Sequence, residues 1–80
     1  MTAMKKVRYT RHAKNRMRRH RISESDVVAA TIHPEYTEPS IEGRVNAWLK
    51  ISERFMKVTF KEEEDHFLIV TAVMKKKDWR

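Results

Sequence analysis

Apolar residues recur at helical spacing in the first third of the chain and alternate with polar ones from about residue 44 onward, so helices precede strands. Thr10 is an N-cap residue type. Arg11 to Arg21 after it has no Gly, Pro or β-branched residue and is rich in Arg, Ala, Lys and Met, which predicts a first helix. Ala13, Met17 and His20 share its narrow inward face, with Arg16 at the edge and His12 and Arg19 just beyond. Ser23, with Asp26 three residues on, caps a second helix in which Val27, Val28, Thr31 and Ile32 recur at helical spacing. Pro34 ends it, because the residue before a proline is pushed out of the α region.

Pro34 to Glu42 reads as irregular and acidic. Three strands follow, at Arg44 to Ile51, Phe55 to Lys61 and Phe67 to Met74, and a short edge strand is expected around Val7 to Tyr9. Val45, Leu49, Ile51, Val58 and Phe60 fall on one face, and the last strand is apolar at nearly every position, as for a central strand covered on both faces. The expectation is a single α+β domain spanning 1–80. In it, two N-terminal helices pack on one face of a three- to four-stranded antiparallel sheet, and Asn46, Trp48, Lys50, Phe55, Lys57 and Thr71 lie on the open face.

Length bounds the chemistry: with 80 residues the core is thin, and the active surface is expected to be shallow rather than a deep cofactor pocket. The absence of cysteine excludes a disulfide scaffold and a thiolate zinc site, and suits a reducing cytoplasm, the expected location. No apolar run approaches the roughly 20 residues of a membrane span, nor is there an apolar segment of the kind a secretion signal carries. The histidines His12, His20, His33 and His66 form no familiar ligand spacing, so neither metal nor cofactor is expected.

Charge changes the picture most. The net +7 is unevenly spread: residues 1–21 hold nine Lys and Arg and no acid, whereas residues 22–42 hold five acids and no Lys or Arg. A block of that kind favours polyanions, through counterion release on phosphate contact and faster encounter. Within it His12, Arg16 and Arg19 stand at i, i+4 and i+7 along one helix edge. Metal-free RNA cleavage needs a base for the 2′-hydroxyl proton, cations for the phosphorane charge and an acid for the leaving oxygen, and His, Arg and Lys supply all three. On that reading His12 transfers the proton, while Arg16, Lys50 and Lys57 hold the scissile phosphate, with Arg44 as a further candidate. Arg8, Arg11, Arg19, Arg44 and the run Lys75, Lys76 and Lys77 extend the contact to RNA, and Trp48 and Phe55 either offer rings to unpaired bases, or anchor a protein partner, or close a minor core. Two other readings share these residues: a module that grips nucleic acid without cutting it, and a basic domain that serves an acidic partner protein.

The string YTRHAKNRMRRHRISESDVVAATIHPE resembles the opening of a family of small uncharacterised domains with the pattern H-A-x-x-R-M-x-x-R, then I-S-E-x-D-V and a proline. GRVNAWLKISERFMKVTF and HFLIVTAV are similar to that family's later strands, and the layout also resembles BrnT toxins of the RelE-type fold. The resemblance implies a basic ribonuclease toxin that cuts RNA, at or away from the ribosome, until an acidic antitoxin covers it, and it marks His12, Arg16, Arg19, Trp48, Lys50 and Thr71. One departure stands out. BrnT-like proteins carry a basic residue shortly after the Ser or Thr of the last strand, whereas here Ala72, Val73 and Met74 separate Thr71 from Lys75.

Overall fold

The computed structural model of the protein describes residues 6–77. In chain order the elements are β1 (Lys6–Tyr9), α1 (Arg11–His20), α2 (Glu24–Ile32), β2 (Tyr36–Pro39), a 3-10 turn at Ile41–Gly43, β3 (Val45–Ile51), β4 (Arg54–Glu62) and β5 (His66–Lys75). The strands form one sheet in the order β1-β5-β4-β3-β2. Two expectations are corrected: the sheet has five strands rather than three or four, and it is mixed, because β1 runs parallel to β5 while the other pairings are antiparallel. β2 occupies the stretch expected to be irregular. Its pairing is fixed from one end by Glu35, whose N–H donates to the Trp48 carbonyl at 2.9 Å and whose Oε1 accepts from the Lys50 N–H at 2.7 Å. Neither bond is visible in local sequence, because its partner is more than ten residues away.

Both helices begin where the sequence places them. Thr10 accepts from the Ala13 N–H and Ser23 from the Asp26 N–H, each satisfying one orphan donor of a first turn. α1 stops at His20, one residue earlier than expected. Arg21 takes the left-handed conformation (φ 56, ψ 46), its N–H donates to the Arg18 carbonyl, and the Ile22 N–H donates to that of Met17 at 2.8 Å. This is a Schellman ending, completed by Ile22 and Met17 meeting in the core.

Thr10 also joins helix to sheet: its N–H donates to the Ile69 carbonyl and its hydroxyl to that of Val70, both at 3.0 Å. At that place β5 carries a bulge, since Thr59 pairs with Thr71 but Phe60 pairs with Ile69, leaving Val70 as the extra residue. The extra residue turns the backbone so that two consecutive carbonyls meet the start of α1.

The core lies between the helices and one face of the sheet. Ala13, Met17, Ile22, Val27 and Ala30 pack on Ala47, Met56, Val58, Phe60, Ile69 and Ala72, with α1 over β5 and β1 and α2 over β4 and β3. Val45, Leu49 and Ile51 are partly buried against the same cluster. β5 is interior, as its apolar run predicts, but its open-face residues Thr71 and Val73 are only half-buried.

Candidate nucleic-acid interface

Register assigns each candidate to a side of the sheet. Ala47, Val58 and Ala72 are cross-strand neighbours in the core, so the alternate set points away from the helices. That open face is built of rows: Glu38, Asn46, Thr59 and Thr71 in one, Tyr36, Trp48, Lys57 and Val73 in the next, and Lys50, Phe55 and Lys75 beyond. On the other flank lie Lys61, Leu68 and Arg8.

The four residues expected to surround one phosphodiester are therefore not brought together. His12 and Arg16 belong to α1, which covers one face of the sheet, while Lys50 and Lys57 rise from the other and lie against aromatic rings, Lys50 at 5.9 Å from the Phe55 centroid and Lys57 at 5.7 Å from that of Trp48. The physical reason is the phase of the strands. Helix and strand positions each follow from local periodicity, but the side of the sheet that the helices take is set by which alternate row is apolar, and Lys50 and Lys57 belong to the polar row.

His12 is exposed and Arg16 half-buried. Lys14, on the opposite flank of α1, pairs with Glu24 of α2 at 2.6 Å and sits 4.5 Å over the Tyr9 ring. His12, Arg16 and Arg19 lie on the flank of α1 opposite Lys14, while Lys6 and Arg8 alternate with the core-packed Val7 and Tyr9 and so point to the other face of the sheet. Burial, and secondarily the Glu24 charge, raises the Tyr9 phenol above its ordinary 10.0. Lys6, Arg8, Arg11, Lys14, Arg16, Arg18, Arg19 and Arg21 come from a stretch of sequence without a carboxylate, and among the described residues Lys14 alone of these eight makes an ion pair.

Of the remaining candidates, Arg44 pairs with Glu42 at 3.4 Å, Thr71 is half-buried beside Thr59, and Lys75, Lys76 and Lys77 are exposed at the end of β5. Of the two roles open to Trp48, the covered one matches its burial: at 8% exposure it lies under Lys57 and beside Glu38, whereas Tyr36, which pairs with it in register, is 39% exposed. Tyr36 was not singled out from sequence, because the stretch containing it reads as a loop. Two other features also escaped. The Asp65 carboxylate meets the His66 Nδ1 at 2.7 Å, and this bond holds Asp65 below its ordinary 3.8. On the open face, Glu38 Oε2 accepts from Asn46 Nδ2 at 3.2 Å and Trp48 Nε1 at 3.4 Å, while Asn46 Oδ1 accepts from the Thr59 hydroxyl at 2.7 Å.

Among the described residues no enclosed pocket opens, no cluster of three metal-ligating side chains forms, and no helix is long and apolar enough to cross a membrane. The geometry thus defines a small α+β domain with two basic surfaces on either side of one sheet. The chain belongs to the DUF4258 family, a domain of unknown function, whose model matches residues 9–74. Nothing matched among curated proteins, and no solved structure matched.

Proposed function

We propose that this domain binds single-stranded RNA as a non-catalytic module, through the cations carried by β1 and α1 and the open face of the sheet. The observation that carries this reading is the run from Lys6 to Arg21, where, among the described residues, Lys14 alone of eight cations forms an ion pair. Unpaired guanidinium groups on a helix of fixed geometry meet successive phosphates without first breaking internal salt bridges, and counterion release makes each contact favourable. A shallow surface suits a polymer spread across it, and unstacked bases of a single strand can lie on an open sheet face.

The resemblance to BrnT and RelE-type toxins supports RNA as the polyanion, and an acidic antitoxin-like protein would compete for the same cations. Cleavage is the part of that resemblance the geometry favours least, because His12 and Arg16 do not share a cleft with Lys50 and Lys57. The deciding experiment is incubation of the purified protein with total RNA in excess chelator, followed by electrophoresis and a filter-binding assay. Retention of intact RNA is the expected result. Fragments that disappear with His12→Ala would replace the binding module with a metal-independent toxin-type endonuclease, and failure to retain RNA near physiological salt would leave an acidic protein as the partner.

A further inference from the structure

We infer that the open face carries a base-reading site at Glu38 that selects an unpaired guanine from the bound strand; the inference rests on the RNA-binding reading above and adds a sequence preference to it. A solvent-facing row of a sheet is ordinarily filled by independent hydrated side chains. Here two rows are wired together: Thr59 donates to Asn46, Asn46 donates to Glu38 Oε2, and Trp48 Nε1 from the next row donates to the same oxygen. Thr59 and Trp48 are both only 8% exposed, and Asn46 and Glu38 are half-buried. The carboxylate is thus held in one orientation by partners that are themselves fixed by packing, which is the condition for a recognition group rather than a mobile surface charge.

Both donors use Oε2, so among the described residues Oε1 accepts no hydrogen bond. A fixed carboxylate with acceptor capacity recognises a planar group with adjacent N–H donors. Of the four RNA bases only guanine presents two such donors side by side on its Watson–Crick edge, N1–H and the 2-amino group. Adenine places the acceptor N1 there, cytosine the acceptor N3, and uracil has a single N3–H between two carbonyls. The surroundings suit a nucleotide. Tyr36 stands two residues before Glu38 on the same face of β2 with its ring exposed, and the Lys57 ammonium lies over the neighbouring Trp48, where it can meet a flanking phosphate. The same cation offsets repulsion between Glu38 and the strand's own charge.

The test measures affinity by fluorescence anisotropy for labelled oligouridine strands carrying one central guanosine, inosine or adenosine, at low salt and with chelator present. The guanosine strand should bind at least about tenfold more tightly than the adenosine strand, because the wrong base leaves a charged acceptor facing a lone pair. Inosine, which lacks the 2-amino group, should fall between them. In Glu38→Gln, whose amide carbonyl can still accept from Trp48 or Asn46, the guanosine-to-adenosine ratio should collapse to about one. Equal affinities of the wild-type protein for guanosine and adenosine strands would overturn the inference while leaving RNA binding in place. Failure to bind any of the strands would overturn both.

Discussion

At the scale of single residues, Thr10 does more than its place in the sequence announces. The N-cap bond to Ala13 is the part that sequence pattern predicts; the bonds to Ile69 and Val70 come from a strand sixty residues away and make the same residue the junction of β1, α1 and the β5 bulge. Replacing it by alanine removes the hydroxyl from both of its roles and leaves the Val70 carbonyl half-buried without its donor. Thr10→Ala is expected to lower stability by about 1–2 kcal/mol in urea denaturation, and Thr10→Ser, which keeps the oxygen, by much less. Equal losses in the two variants would mean that the methyl group, not the hydrogen bonds, matters at this site. Trp48 and Tyr36 give the opposite lesson. A strand register places them side by side, yet burial separates them, the indole of the buried Trp48 donating to Glu38 while Tyr36 is 39% exposed.

At the scale of elements, the helices were legible and the sheet was legible only in part. Capping residues, helix-forming composition and the proline at position 34 are local signals, so α1 and α2 fall within a residue of where they are expected. The exception is informative. Arg21 looks like one more helix residue, but its backbone is left-handed, a conformation that costs an L-residue with a Cβ roughly 1–2 kcal/mol and glycine almost nothing. Because its N–H still donates to the helix end, Arg21→Gly should keep the Schellman ending and raise stability by about 0.5–1 kcal/mol, after the larger chain entropy of glycine in the unfolded state is subtracted. A lower midpoint in urea for Arg21→Gly would show that the arginine side chain contributes more than its backbone conformation costs. The strand β2 was missed for a related reason: four residues containing a proline carry no periodicity of their own, and they become a strand because β3 offers an edge and Glu35 anchors the pairing.

At the scale of the whole molecule, the distribution of charge decides what the domain meets. The cations between Lys6 and Arg21 are carried by β1 and by α1, which packs over β5, whereas Glu38 lies on β2 at the opposite edge of the sheet and Glu42 in the 3-10 turn that follows it. On the proposed RNA-binding reading, affinity should fall log-linearly with salt, and Arg16→Ala with Arg19→Ala should reduce the slope by about one unit for each phosphate contact removed. Lys14→Ala should change the slope less, since its ammonium is already held by Glu24. An unchanged slope in the double variant would place the polyanion elsewhere on the surface.

The sequence by itself determined the α+β class, the two helices with their starting caps, the alternation of β3 and β4 and the basic opening block, because each of these follows from neighbours within a few residues: helical phase, strand phase, capping chemistry and net charge. Only the tertiary structure decided the parallel pairing of β1 with β5, the existence of β2, the bulge at Val70 and the side of the sheet on which each cation stands. These depend on contacts between residues far apart in the chain. The same long-range packing parts Lys50 and Lys57 from His12, and brings Glu38, Asn46, Trp48 and Thr59, drawn from three strands, into one hydrogen-bonded network.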